Sequence, residues 1–154
     1  MKKNCLFFMI ILLVSCSKKI KNTKSQILIN HLERNLSTKY EKDELYLFLN
    51  TTGCGYCFKY TKEFLIKKVK QNKKVNLIMV GEFKKELLLL SKGLQEKFTL
   101  IFDYNEIFLE NDSLKEDSFI LIDEGLSETT VVPFSVDNNF EKMKQVLINF
   151  TELN

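Results

Sequence analysis

Proline, glycine, histidine and cysteine are all scarce in this chain of 154 residues. With one proline and five glycines, no stretch is rich enough in either residue to indicate a linker between domains. There is one histidine and there are four cysteines, so few side chains are available to bind a transition metal. The 23 basic and 20 acidic side chains nearly balance, which gives no indication of nucleic acid binding. No internal repeat, phosphate-binding loop, paired carboxylates or Ser/His/Asp set stands out.

The beginning of the chain has the pattern of a bacterial lipoprotein signal. Lys2 and Lys3 precede an apolar run over residues 5–14, which is short for a membrane span. The run ends in Leu-Val-Ser-Cys, which looks like a lipobox with Cys16 as the lipidated residue. An ordinary signal peptide or an anchor helix is the alternative. We predict cleavage before Cys16, whose thiol would carry the lipid.

This interpretation predicts a signal peptide over residues 1–15, a lipidated tether over 16–26 and one domain over 27–154. The domain would then lie in the cell envelope, anchored to a membrane and facing the periplasm or the cell exterior. Cys16 would be consumed by the lipid, and Cys5 lost with the signal peptide. Only Cys54 and Cys57 would remain for chemistry, in a compartment where disulfides persist.

Helical and strand patterns alternate along the rest of the chain. Two connecting segments are also predicted: a short helix or turn over 105–114 and a turn at Gly125. The alternation predicts an α/β domain in which a central mixed β-sheet has helices on both faces. The leucines over 86–90 are expected to form a buried helix face. Helices are predicted over 24–36, 57–71, 82–98 and 138–150, and strands over 44–50, 74–81, 99–103, 118–123 and 128–134.

Cys54 and Cys57 are three positions apart, at the junction between a predicted strand and a predicted helix. Such a pair can bind zinc, bind copper, form a structural disulfide or act as a redox dithiol. Zinc needs about four ligands, and the only histidine, His31, is expected on the surface or half-buried in an earlier helix. A disulfide closing so short a loop adds little stability by chain entropy, which favours redox use. At a helix N-terminus, the first thiol of the pair has a lowered pKa and is the better nucleophile.

The chain resembles thioredoxin-like thiol-disulfide oxidoreductases over roughly residues 40–152. The resemblance is carried by "YLFLNTTGCGYC", "KVNLIMVG", "TLIFD" and "FILIDEG", and the last two look like the membrane-tethered TlpA/ResA-like branch. It implies a thioredoxin fold, with Cys54 as nucleophile and Cys57 as the resolving thiol. Gly55 and Tyr56 would face the substrate. No cofactor beyond the Cys54–Cys57 disulfide is implied.

The same resemblance implies what the protein would act on. Its partners would be extracytoplasmic protein thiols and disulfides, with room for an electron-transfer partner in the membrane. No nucleic acid partner and no metal are expected, and we expect a monomer. The alternative is a thioredoxin-like lipoprotein without activity that serves as a binding or scaffold module.

The sequence departs from the family at three positions. Asp117 stands where the family has a cis-proline facing the dithiol. Phe48 replaces the buried acid six residues before the nucleophile, and Gly53 replaces a frequent tryptophan. A carboxylate at Asp117 would raise the pKa of the Cys54 thiol. The loss of the buried acid leaves Tyr56, Lys59 or water to move the proton of Cys57.

Overall fold

A computed structural model describes residues 24–52, 55–104, 118–123 and 129–153 of the chain. Four helices and five strands lie within them. The helices are α1 (Lys24–Arg34), α2 (Gly55–Lys68), α3 (Lys84–Leu90) and α4 (Phe140–Leu153). The strands are β1 (Leu45–Asn50), β2 (Val75–Val80), β3 (Thr99–Asp103), β4 (Ser118–Asp123) and β5 (Thr129–Phe134).

The five strands form one mixed sheet in the order β3-β2-β1-β4-β5. Strands β1, β2 and β3 run parallel, because each is joined to the next through a helix on the sheet's face. Strand β4 runs antiparallel to β1 on its other side and forms an antiparallel pair with β5. The predicted α/β class and mixed sheet are therefore confirmed. The predictions over 105–114 and at Gly125 lie outside the described residues.

The central strand β1 is buried along its whole length, because helices cover the sheet on both sides. Its alternate residues Leu45, Leu47 and Leu49 belong to the core that also holds apolar residues of α2, α3 and α4. Tyr46 and Phe48 point to the opposite face, where they join Leu28 and Leu32 of α1 in a second core. Helices thus lie on both faces, as the alternation of patterns predicted.

Helix α3 is shorter than the sequence predicted, since it ends at Leu90 rather than continuing to residue 98. The Ser91 hydroxyl donates to the carbonyl of Leu88, and Gly93 has a φ of +83°, which turns the chain out of the helix. The predicted buried leucine face is present in part, because Leu87 and Leu90 pack against the core. Only Leu87 of this run is buried, whereas Leu88 and Leu89 are about half exposed.

The turn after α3 holds the carboxyl end of α2 in place. The Lys97 ammonium donates to the carbonyls of Ile66 and Val69, at 2.6 Å and 2.7 Å. These carbonyls lie at the helix end, where cations are favoured and intrahelical donors are missing. Helix α2 is therefore fixed at one end by a charged side chain, and its other end carries the cysteine motif.

Candidate functional site at the end of the central strand

The segment between β1 and α2 is tied to the sheet by side-chain hydrogen bonds. The Asn50 side-chain oxygen accepts from both the N–H and the hydroxyl of Thr52, each at 2.9 Å, which turns the chain away from the strand. Thr51 donates to the Val80 carbonyl from its N–H at 3.0 Å and from its hydroxyl at 2.8 Å. The approach to the motif is thus anchored to the end of β2.

Helix α2 begins at Gly55, so Cys57 lies in its first turn, directly beyond the carboxyl end of β1. Cys57 is half-buried, and Phe58 behind it is buried in the core. The Thr61 hydroxyl donates to the Cys57 carbonyl at 2.9 Å, one turn further along. A Cβ built on Gly55 would meet no heavy atom within 4 Å, so this glycine faces open space. The backbone of a bound polypeptide could therefore approach closely at Gly55.

Three of the predicted site residues, Cys54, Asp117 and Cys16, lie outside the described residues. The residue that follows Asp117 is described. Ser118, which follows Asp117, begins β4, and its hydroxyl accepts from the Asn50 N–H at 3.3 Å. The chain therefore enters β4 beside Asn50, the last residue of β1. Asn50 precedes Cys54 by four positions in the sequence.

Tyr56 stands between the two cysteines and is paired with Tyr60, one helical turn away. Their hydroxyls are 2.8 Å apart and their ring centroids 4.5 Å apart. Both rings are exposed, at 60% for Tyr56 and 45% for Tyr60. Only Tyr56 was predicted as a site residue, although the spacing of four residues could have indicated the pair. An aromatic surface therefore begins within the motif and continues along α2.

The electrostatics of α2 are dominated by lysine. The helix contains Lys59, Lys62, Lys67 and Lys68 against one acidic residue, Glu63. Burial lowers the pKa of Lys62, and the nearby charge of Lys92 lowers it further. The positive dipole end of the helix lies at the motif, with Lys59 and Lys62 in the first two turns, and both effects favour a thiolate there.

One concave surface lies beside the segment that leads to the motif, and a second lies along α2. A cleft of about 250 Å³ lies at the ends of β1 and β2, between the Thr51–Thr52 segment and the start of α3. An open groove of about 590 Å³ runs between α2 and α4, and Tyr60 forms part of it. The groove is the larger of these two and lies along the lysine-rich helix.

His31 is buried, which corrects the prediction that it lies on the surface or half-buried. It is 6% exposed, and its Nε2 lies 2.7 Å from Oδ2 of Asp103, the last residue of β3. Asp103 was not among the residues predicted from the sequence. The burial of His31 could have been predicted, because it lies three residues after Leu28 and one before Leu32, on the buried face of α1. Asp103 and Asn50 both pair in register with Val80, so the His31–Asp103 contact lies at the same end of the strands as the motif.

Two features are absent from the described part of the chain. No group of three or more His, Cys, Asp or Glu side chains is close enough together there to hold a metal ion. Among the described helices, none has both the length and the apolar character needed to cross a bilayer.

No protein-family model, curated protein or solved structure matches this chain.

Proposed function

We propose that this chain is a thioredoxin-like thiol-disulfide oxidoreductase. A lipid on Cys16 would anchor it to a membrane, and its domain would lie outside the cytoplasm. The observation that carries the proposal is the position of Cys57 in the first turn of α2, directly beyond the buried central strand. Cys54 precedes it by three residues in the sequence. A thiol pair at a helix start has the backbone N–H groups and the dipole that stabilise a thiolate.

The order of elements supports the finer fold assignment. Strand β1, helix α2 and parallel strand β2 are followed, after β3, by the β4–β5 pair and a last helix, α4. The thioredoxin fold implied by the resemblance has the same strand–helix–strand unit followed by a hairpin and a helix. Strand β3 corresponds to the extra strand of the membrane-tethered branch, and it extends the sheet next to β2.

The proposed reaction transfers two electrons between dithiol and disulfide. The Cys54 thiolate attacks one sulfur of a client disulfide, forms a mixed disulfide and releases the other client sulfur as a thiolate. The Cys57 thiolate then attacks the Cys54 sulfur, which closes the Cys54–Cys57 disulfide and releases the second client thiol. The reverse sequence oxidises a client dithiol. Because Cys57 is half-buried, water can reach it and accept its proton, while Phe48 packs in the core and offers no acid.

Trapping tests the assigned order of attack. Cys57→Ser should accumulate mixed disulfides with client proteins, seen as high-mass bands that disappear on reduction, because the resolving thiol is missing. Cys54→Ser is the matched control and should accumulate none. Equal trapping by both variants would overturn the assigned polarity, and no trapping by either would favour a binding module without activity.

Two measurements on the purified protein complete the test. The pH dependence of iodoacetamide alkylation should show a Cys54 thiolate forming below the ~8.5 of a free cysteine. The reduction potential of the pair then sets the direction of electron flow. A value near about −270 mV makes the protein a reductant, and one near about −120 mV makes it an oxidant.

A further inference from the structure

The groove between α2 and α4 has an apolar floor that is partly open to solvent. Phe64 of α2 and Phe140 and Ile148 of α4 are half-buried along it, and the more exposed Tyr60 lies at one end. The rings of Phe64 and Phe140 meet edge to face, with their centroids 6.4 Å apart. The Lys144 ammonium, which pairs with Glu141 at 2.6 Å, lies over these two rings, 5.7 Å and 5.0 Å from their respective centroids. A half-exposed apolar surface of this shape can bury an apolar side chain of a partner.

The sides of the groove carry charge, with lysine in excess. Lys67, Lys68 and Lys144 line it together with Glu63 and Glu152. Glu63 pairs with Lys67 at 3.4 Å, and Glu152 lies 3.9 Å from Lys70 outside the groove. No ion pair among the described residues involves Lys68, which is exposed. The groove therefore complements an apolar side chain that has a carboxylate next to it.

The groove is connected to the cysteine motif through an aromatic pair. Tyr56, between the cysteines, touches Tyr60, and Tyr60 begins the groove. From Tyr56 to Phe64 the helix advances eight residues, or about 12 Å. An extended polypeptide covers that distance in about four residues. A client whose cysteine is at the motif would reach the floor of the groove with a side chain about four positions away.

We propose that this α2–α4 groove binds the client polypeptide itself, and selects segments with an apolar and an acidic residue about four positions from the reacting cysteine. This inference rests on the proposed exchange activity and adds the substrate class. A client segment fits better than an anionic lipid surface, because the groove is concave and receives single side chains, whereas a lipid surface is flat. The continuous contact from Tyr56 to Tyr60 also joins the groove to the reacting thiols, which a separate membrane contact would not need.

The test uses the full-length processed protein in a neutral detergent, reduced, with two ten-residue peptides. Each peptide has one cysteine, present as its mixed disulfide with thionitrobenzoate, whose release is coloured. One peptide carries Leu and Asp at the fourth and fifth positions from the cysteine, and the other carries Ser and Lys there. The protein should release thionitrobenzoate about tenfold faster from the Leu–Asp peptide, the gain expected from partly burying one apolar side chain.

Variants show whether the preference comes from the groove. Ile148→Ser and Lys68→Glu should each remove most of it, with unchanged rates towards the small disulfide dithiobis-nitrobenzoate. Leu89→Ser, an exposed leucine on α3, and Lys42→Glu, an exposed lysine before β1, are matched controls and should keep it. Unchanged thermal unfolding by circular dichroism checks that each variant is folded.

Two kinds of failure are distinguishable. If all probes react no faster than with glutathione at the same pH, the exchange activity itself is absent. If both peptides react fast and equally, or the groove variants keep the preference, the groove assignment is wrong. It is also wrong if these variants instead lose binding to phosphatidylglycerol vesicles, or change the oligomeric state, with the peptide preference intact.

Discussion

Nε2 of His31 lies 2.7 Å from Oδ2 of Asp103, and both side chains are buried. The amide nitrogen of Asn35 lies 2.9 Å from Nδ1 of the same imidazole. With an amide donor at Nδ1, the ring accepts there and donates from Nε2 to the carboxylate. The pair joins α1 to the end of β3, and so fixes the helix that covers one face of the sheet.

We expect His31→Leu to lower the free energy of unfolding by about 3–5 kcal/mol, because it removes the imidazole partner of a buried carboxylate. The double variant His31→Leu/Asp103→Leu should recover much of that loss, since no buried charge then remains. Urea unfolding followed by far-ultraviolet circular dichroism measures both, as the chain has no tryptophan. Lys74→Ala, which breaks the exposed pair with Asp43, is the control and should change little. A single variant as stable as the wild type would contradict this account.

Tyr46 should make stability fall at alkaline pH. Its hydroxyl accepts from the Glu41 N–H at 2.9 Å and donates to the Glu44 carboxylate at 3.0 Å. Burial raises the pKa of Tyr46 above its usual value, and the nearby Glu44 raises it further. Below about pH 10 both folded and unfolded states keep the phenol proton, and the contribution to stability is complete. Above that pH the unfolded chain ionises first, so unfolding is favoured.

Tyr46→Phe should therefore have two effects in urea titrations. At pH 8 it should cost about 1–2 kcal/mol, because the Glu41 N–H and the Glu44 carboxylate lose a hydrogen-bond partner. Between pH 9 and pH 11 its stability should fall less steeply than that of the wild type. Lysines titrate in both proteins, so the difference between the slopes isolates Tyr46. If the stability of both proteins fell equally with pH, the pKa of Tyr46 would not be raised in the folded state.

Gly81→Ala should disturb the approach to the motif. A Cβ at this position would lie 2.5 Å from Oγ1 of Thr51 and 2.9 Å from Cδ2 of Leu87. Overpacking of this kind costs about 1–3 kcal/mol, and it would displace Thr51, three residues before Cys54. We expect a lower urea midpoint together with a changed rate of disulfide exchange. Gly55→Ala is the control for stability, since its added Cβ meets nothing within 4 Å.

Cys16→Ser should release the protein from the membrane fraction or block removal of the signal peptide, because the thiol that takes the lipid is gone. Fractionation and the mass of the processed chain measure the two outcomes. Cys5→Ser changes a cysteine within the predicted signal peptide and should leave both unchanged. A Cys16→Ser protein that is fully processed and still bound to membranes would show that the lipoprotein assignment is wrong.

The sheet could be predicted from the sequence because its strands are short apolar runs with clear ends. Strands β3 and β4 have the predicted bounds, and β1 and β2 differ by a residue at their ends. The helix over 57–71 could also be predicted, since Phe58, Thr61 and Leu65 repeat with helical spacing, and all three are buried. Local periodicity carries this information without knowledge of the rest of the fold.

What could not be predicted depends on contacts between distant parts of the chain. His31 and Asp103 are 72 positions apart, and nothing near either residue identifies the other. The four leucines after Glu86 suggested a long buried helix, but only Leu87 and Leu90 contact the core, and the helix ends after two turns. The groove between α2 and α4 also requires the tertiary fold, since each helix supplies half of it.

The pairing of β1 has a consequence for how the protein folds. Phe48 is in register with Ile78 on one side and with Phe119 on the other, about 30 and 70 positions along the chain. Contacts of such long range form slowly, because the intervening loop must close before the pairing is gained. The strand that supports the cysteine motif is therefore completed only when most of the chain has been synthesised or exported. Until then the thiols have no folded support, so a chain secreted in an unfolded state would acquire its reactivity only after export.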